Sequence, residues 1–445
     1  MNTMVNLVVQ LVVLLAAIAI GARMGGVGMG LCGGVGLGIL VFGFGAVPGS
    51  IPGEVLLIIL TVIMAASAME TAGGIDYLVR VASRIIRKSP RHVTLIAPLV
   101  AYVFTFLAGT GHIFYPLLPV IYEVAMKGRV RPERPIAVAT IASQQAITAS
   151  PVSAATAALI ALLGPKGIGL PQILMICVPS TLLGIIVAAV VQTHIGVELD
   201  QDPEYLRRQA AGELDDDPGK ADEKSAAPLR RGARLSAGVF LAGVLIVVCC
   251  GLFPAVRRVG SGTEAMTVSM PMTIAIVMLA IAAAMVFFTG APAGEIVKTK
   301  TCQAGITAVI GILGLAWLGD TFIRDNREII TSGLETMAKS YPALFSVGMF
   351  VMSMLLYSQA ATTQTMAPLG LTLGISPAAL AGMFPATNGY FFIPTYGTLI
   401  AAVNFDRSGT TRIGKYVLNH SFMIPGLVST VVAVSAGLLI GKLFF

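Results

Sequence analysis

Across 445 residues the chain is 56% hydrophobic and only 11% charged, with a mean hydropathy of +0.86. A water-soluble protein of that length has nowhere to hide so much apolar surface, so lipid is the solvent for most of it. The net charge of +7 does not point to nucleic acid, because the basic residues lie in short clusters between apolar runs, where they act as topology signals.

Residues 1–20 resemble a signal peptide in hydropathy. They lack a basic start and run directly into Arg23 and a second apolar stretch, so they are read as a retained first span. Segments of crossing length follow at 5–22, 27–47, 54–72, 135–163, 171–194, 235–253, 270–289, 302–320, 376–402 and 416–443, which predicts ten crossings. Two further apolar stretches, 92–127 and 341–374, carry polar and small residues near their midpoints and are predicted to be re-entrant hairpins. Cys32, Cys177, Cys249, Cys250 and Cys302 fall in or beside apolar segments without metal-ligand spacing, and read as buried small hydrophobes.

The charges support the first hairpin. Arg80, Arg84, Arg87, Lys88 and Arg91 precede it, and Lys127, Arg129, Arg131 and Arg134 follow it. If both clusters are cytoplasmic, the segment between them enters and leaves on one side. Extended along the chain, that topology puts both termini in the periplasm and 22 of the 29 Lys and Arg inside, against 7 outside. Residues 196–234 hold ten of the 22 acidic residues and no hydrophobic periodicity, so they read as a solvated cytoplasmic linker. This divides the chain into 1–195 and 235–445. Each part has three spans, an amphipathic segment (75–91, then 321–340), a hairpin, a long broken span and a final span. One starts outside and the other inside, which predicts an all-α polytopic membrane protein made of two inverted repeats.

The broken spans (135–163 and 376–402) and the hairpin tips are where chemistry is expected. In Ser143 to Thr156, SQQAITASPVSAAT, proline disfavours helical geometry at the preceding residue, so Ser150 is expected to leave the helix and N-cap a new one begun by Pro151. In Ala386 to Ala402, Asn388 and Gly389 form an earlier weak point, and Ile393, Pro394 and Thr395 form the break. The tips are Gly109-Thr110-Gly111-His112 and Tyr357 to Gln364, YSQAATTQ. Unpaired backbone groups in lipid cost several kcal/mol each, on the order of the penalty for burying a bare amide, so such breaks survive only where protein, water or ligand satisfies them.

Helix N-termini aimed at one point favour an anion, and the predicted hydrocarbon region has no Lys or Arg to serve instead. An anion held by dipoles and hydroxyls can be released again, as a carrier requires. A single proline in a membrane helix is ordinarily a kink; two at matching places, each beside a hairpin, read as a site. His112 is open between a site residue and a packed histidine, and His420 reads as structural. Tyr115, Tyr357, Tyr390 and Tyr396 are packing residues or donors to the anion, while Glu70 and Asp76 read as interfacial.

Stretches spread over nearly the whole chain carry a resemblance: GARMGGVGMG from Gly21, ETAGGIDYLV from Glu70, IIRKSPRHVTLIAP from Ile85, AGTGHIFYPLLPVI from Ala108, ITASPVSAA from Ile147, LAWLGDTF from Leu315, LLYSQAAT from Leu355, FIPTYGTLIAAV from Phe392 and DRSGTTRIGKYVLNHSFMIPG from Asp406. In these the sequence resembles the Dcu family of bacterial C4-dicarboxylate transporters, and its DcuA-like members in particular. The resemblance implies an inner-membrane transporter, not an enzyme, handling fumarate, succinate, malate and aspartate by exchange or cation-coupled uptake. Related ion-transporter folds work as elevator-type homodimers with membrane lipid around them. Site roles carry over to Thr110, Gly111, His112, Ser150, Pro151, Ser358, Gln359, Pro394 and Thr395. Two positions depart from the family pattern: the tip reads GTGH where DcuA-like members end in asparagine, and Gly397 stands where proline is common. The substrate ranking therefore does not transfer from any one relative.

No cofactor is expected. The coupling ion is open between H⁺, taken up at His112, and Na⁺, held on carbonyls of the unwound segments. A membrane hydrolase using Ser150 and His112 is disfavoured, since no buried carboxylate is evident to orient the histidine. An anion channel is compatible with broken helices and is separated from a carrier by counterflow.

Overall fold

The structure is a computed structural model, and it describes residues 3–24, 27–49, 51, 53–214, 228–260, 266–326, 342–356, 358–394, 396–414 and 418–445. The first part of the chain contains α1 (Thr3–Met24), α2 (Gly28–Gly38, continued by a π-helical turn Ile39–Gly43), α3 (Gly53–Thr71) and α4 (Gly74–Arg87). Next come α5 (Val93–Ala108), a 3₁₀ turn Gly111–Leu117, α6 (Leu118–Lys127), α7 (Glu133–Ala149), α8 (Ala154–Leu163), α9 (Leu170–Thr193) and the short α10 (Pro203–Ala210).

After residues 215–227, which lie outside the described ones, the chain forms α11 (Ala233–Leu252), a two-residue antiparallel ribbon of β1 (Arg258–Val259) and β2 (Met266–Thr267), α12 (Met270–Thr289), α13 (Ala293–Ile296) and α14 (Lys300–Asp325). The remaining helices are α15 (Pro342–Leu356), α16 (Gln359–Thr372), α17 (Pro377–Met383) leading into the 3₁₀ stretch Phe384–Phe391, α18 (Gly397–Phe405) and α19 (Met423–Phe444). The amphipathic segment expected over 321–340 lies outside the described residues from 327 onward.

Among the described residues eight helices are long and apolar enough to cross a membrane. They become nine if α3 and α4, bent by 74° at their junction, count as one span. This differs from the expected ten. The segments 27–47 and 376–402 are too broken to qualify, while the first hairpin arm, α5, does. The outward faces are apolar, with Val12 58% exposed and Phe287 81% exposed, as a lipid-facing surface requires. Hydroxyls inside helices satisfy themselves locally: Thr140 Oγ1 donates to the Ile136 carbonyl at 2.7 Å, and Thr181 Oγ1 to that of Cys177 at 2.6 Å.

The two ends of the segment expected to form the first hairpin meet. A Cβ placed on Gly128 would lie 2.7 Å from the Pro90 carbonyl oxygen, and Arg87 Nη2 is 2.9 Å from Glu123 Oε2. The two ends of the 90–128 segment thus lie side by side, so the chain returns to where it entered.

Packing repeats between the two parts. The pairs α1·α2, α2·α14, α5·α7, α7·α9 and α8·α16 have as counterparts α11·α12, α12·α3, α15 with 384–391, α17·α19 and α18·α6; α9·α19 and α3·α14 pair each element with its own counterpart. Other contacts among the described residues have no comparable counterpart: α14·α16, α5·α9 and α3·α8 are not matched by α3·α6, α15·α19 and α14·α18.

The linker is not solvated throughout. Its first residues fold onto the start of α7, where Arg131 Nε donates to Glu133 Oε2 at 2.6 Å and Nη1 lies 2.7 Å from Asp202 Oδ2, all three side chains being nearly buried. Arg134 binds the carbonyls of Ile195 and Gly196. The loop before α19 joins this cluster, since buried Asp406 accepts from the Thr411 N–H at 2.6 Å and from Thr410 Oγ1 at 2.8 Å, while Ser421 Oγ donates to Glu133 Oε1 at 2.6 Å. On α10, Arg207 and Arg208 beside Glu204 hold its carboxyl down to about 2. At the far end of the linker, Arg230 Nη1 donates to the Thr71 carbonyl at 2.6 Å, fixing the bend between α3 and α4. Glu70, expected to be interfacial, accepts from the Thr301 N–H at the start of α14, where the helix dipole favours a carboxylate.

Candidate functional site

Pro151 ends α7 as its chemistry dictates, and Ser150 is extended with ψ 128°. The new helix does not start at Pro151, however. Residues 151–153 form a turn and the N-cap of α8 is Ser153, whose hydroxyl accepts from the Thr156 N–H at 3.1 Å and donates to the Ile147 carbonyl at 2.6 Å. A second serine three residues on supplies the cap instead. Ser150 instead donates at 2.7 Å to the Phe106 carbonyl in the last turn of α5, tying the break to the hairpin arm.

The tip itself sits on this break. Gly109 has φ 70°, the left-handed conformation that closes α5, and a Cβ there would lie 2.8 Å from the Val152 carbonyl oxygen. Gly111 opens the 3₁₀ turn beside Ile147, Thr110 is half-buried, and His112 belongs to that turn by backbone, its side chain lying outside the described ones.

In the second hairpin the tip is shorter than expected. Tyr357 lies outside the described residues, Ser358 caps α16 by accepting from the Ala361 N–H at 3.2 Å, and the residues from Gln359 to Gln364 are already helical. Thr362 and Thr363 return their hydroxyls to the carbonyls of Ser358 and Gln359 at 2.8 Å. The second broken span unwinds more fully than expected: 384–391 is 3₁₀, and α18 starts only at Gly397. Pro394 is in the intervening turn and buried, and Thr395 lies outside the described residues. His420 holds this turn: its Nδ1 accepts from the Phe422 N–H at 3.2 Å, leaving Nε2 as the donor to the Phe392 carbonyl at 3.1 Å. It is structural, as the sequence suggested.

What joins the breaks is a set of amides. Gln359, 5% exposed at the first position of α16, donates through Nε2 to the backbone carbonyl of Gln144 at 2.8 Å, to Tyr390 Oη at 3.1 Å and more weakly to Asn388 Oδ1 at 3.4 Å. Gln144 Nε2 donates to Thr398 Oγ1 in the first turn of α18 at 2.8 Å. The starts of α16 and α18 are thereby bridged by one residue of α7. Tyr390 and Tyr396 close one side with ring centroids 4.4 Å apart, and Tyr115 from the first hairpin approaches Gly397.

Three buried atoms in this set have no hydrogen-bond partner among the described residues: Gln144 Oε1, Gln359 Oε1 and Asn388 Nδ2. Such atoms are destabilising unless something polar meets them, by about 1–3 kcal/mol each. No Asp, Glu, Lys or Arg occurs in 135–165 or 342–405, so whatever binds is met by neutral dipoles. Of the expected site residues, the structure places Gln359 in this cluster and Ser358 at its helix start. Ser150, Pro151, Thr110 and Gly111 belong to the neighbouring tip-and-break contact. Gln144 and Thr398 are not among the residues the sequence pointed to, whereas Tyr390 is one of the tyrosines it left open between packing and donating. Gln144 sits within the quoted SQQAITASPVSAAT, and its position one turn and a half before the break is the signal that points to it.

Discontinuous helices meeting at an uncharged polar centre, within a bundle of membrane-length apolar helices, define a polytopic membrane protein. Solved structures agree on the fold: the YdaH transporter of Alcanivorax borkumensis is similar with a TM-score of 0.59 at 15% identity over 99% of this chain and 97% of that one, and MtrF of Neisseria gonorrhoeae with 0.53 at 12% identity over 92% and 84%. The family model described as anaerobic C4-dicarboxylate membrane transporter matches residues 6–445. The C4-dicarboxylate transporter DcuA of Wolinella succinogenes is 39% identical and DcuA of Escherichia coli K12 40% identical, each over 98% of this chain and 99% of its own. The anaerobic C4-dicarboxylate transporter DcuB of an E. coli O6:H1 strain is 34% identical over 98% of both. The chain belongs to the DcuA/DcuB family of C4-dicarboxylate transporters.

Proposed function

We propose that the protein is a secondary carrier for fumarate, succinate, malate and aspartate across the bacterial inner membrane, by exchange or cation-coupled uptake. The observation that carries this reading is the junction of Gln144, Gln359, Asn388 and Thr398, where two helix starts meet in a stretch without formal charge. The dipoles at the starts of α16 and α18 attract carboxylates, Asn388 Nδ2 donates to one, and the tip at Thr110 and Gly111 with the Ser150–Ser153 break supplies further polar groups. An ammonium such as that of aspartate meets the acceptor oxygens of Gln144 and Gln359. The absence of a formal counter-charge keeps the bound state shallow enough to release substrate on the far side.

Two coupling ions suit different groups. Na⁺ suits the Gln144 and Gln359 Oε1 atoms and freed carbonyls, whereas H⁺ suits His112. The partial exchange of packing contacts between 1–195 and 235–445 favours an inverted repeat, and an elevator-like displacement of hairpins and broken helices against the other spans in a homodimer is the motion that architecture serves.

Counterflow in proteoliposomes tests this. Internal unlabelled succinate or aspartate should accelerate uptake of the labelled acid and saturate, and the response to Na⁺ and to pH should identify the coupling ion. Uptake that rises linearly and ignores the internal acid would instead make the protein an anion channel, and saturable exchange of only another organic anion would move the substrate class.

A further inference from the structure

We propose that the mouth of the first hairpin is a binding site for the headgroup of an anionic phospholipid, with one acyl chain lying along the outer face of α5. An open crevice of about 540 Å³ lies where the two ends of the hairpin meet, lined by Lys88, Arg91, His92, Lys127 and Arg129 around Pro90 and Gly128. The nearby carboxylates neutralise it only in part. Glu123 serves Arg87 and Lys127, Asp200 reaches Arg129 only at 3.9 Å, and among the described residues neither Lys88 nor Arg91 has a carboxylate within ion-pair distance.

A basic loop by itself is explained by membrane topology. Two observations ask for more. Arg129 has φ 51°, and it is the non-glycine residue with positive φ among the described ones. It occupies the left-handed position after α6, with the Val130 N–H returning to the Ala125 carbonyl at 2.9 Å. Glycine is the unstrained residue at that position. Topology needs a positive charge somewhere in the loop and not at the one place where a side chain is disfavoured, whereas a ligand clamp explains an arginine held there.

The second observation is the continuation of the crevice. From His92 the residues of α5 that keep some exposure include Leu95 and Ile96, which also pack on the core, then Leu99 and Val103, at helical spacing and all apolar. This stripe starts at the cations and runs into the hydrocarbon region. A free phosphate has no use for it, but a diacyl lipid anchored by its phosphate does. The helix on the other side, α4, is amphipathic, with Arg80, Arg84 and Arg87 on it and Ile85 42% exposed, which sets the crevice at headgroup depth.

The test uses the full-length protein in nanodiscs of phosphatidylcholine with a minor fraction of phosphatidylglycerol, read by native mass spectrometry. The wild type should retain phosphatidylglycerol, and the triple variant Lys88→Gln, Arg91→Gln, Arg129→Gly should hold it roughly a hundredfold less tightly, for three cations at a charged surface. Retention of phosphatidylcholine should not change. Arg129→Gly alone relieves the backbone, so it should weaken phosphatidylglycerol retention while melting no lower than wild type, which separates lipid binding from folding. Equal retention by the triple variant, or parallel loss of phosphatidylcholine, overturns the site. Displacement of the lipid by millimolar inorganic phosphate would overturn the lipid assignment in favour of a free-anion site.

Discussion

Gln359 Nε2 lies 2.8 Å from the backbone carbonyl of Gln144, so the first residue of α16 is locked to α7 across 215 positions of sequence. This contact puts the second hairpin against the first broken span. Gln359→Ala leaves the Gln144 carbonyl, Tyr390 Oη and Asn388 Oδ1 without their shared donor, a loss of about 1–3 kcal/mol. Counterflow should fall tenfold or more while the protein still elutes as a folded species. Gln359→Glu adds a carboxylate to the proposed anion site and should abolish uptake. Wild-type transport by both variants would remove the amide cluster from the substrate path.

Ser150 and Ser153 have separable jobs. Ser153→Ala removes the N-cap of α8 and should lower stability by about 1 kcal/mol, with Ser153→Asn restoring most of it. Ser150→Ala removes the tether to the Phe106 carbonyl and should lower uptake more than it lowers melting temperature. Thermal unfolding in detergent alongside proteoliposome uptake distinguishes them, and the same response in both assays for both serines would refute the division.

Arg131 is the hub of a nearly buried charge cluster. Arg131→Met strands the carboxylates of Glu133 and Asp202, which for a buried pair costs roughly 3–5 kcal/mol. The variant should melt well below wild type and expose 195–210 to protease. An unchanged cleavage pattern would mean that the start of the linker does not depend on this arginine.

The pairing of Glu204 has a defined pH window. Its folded-state value is depressed to about 2 by Arg207 and Arg208, so the contribution is fully present above the ordinary glutamate value near 4.3 and disappears as pH falls through about 2. Protease access to α10 should therefore be the same at pH 7 and pH 5 at low salt. The pairs are exposed, so raising the salt should loosen them. Opening between pH 7 and 5 would show that another group holds α10.

A cysteine introduced at Ser225, in a background lacking the five native cysteines, tests topology. Impermeant thiol reagents added to intact cells should leave it unlabelled and should label it after permeabilisation. Labelling in intact cells would invert the predicted orientation.

How much was legible beforehand follows from which interactions are local. Proline acts on its own neighbours, so Ser150 leaving the helix follows from adjacent residues. Ser153 displaced Ser150 as the cap because two serines competed within three positions, and the proline turn between them decided. The folded start of the linker was missed because an acidic, aperiodic stretch reads as solvated unless its cationic partners, Arg131 and Arg134, are known to face it.

The sequence by itself determined the membrane class, the positions of the breaks and the absence of charge around them, since apolar run length, proline geometry and composition need no knowledge of distant residues. Tertiary structure alone decided that Gln144, Gln359, Asn388 and Thr398 share one site. An amide in an apolar helix carries no mark of its partner, and which amides meet depends on how helices from opposite ends of the chain pack.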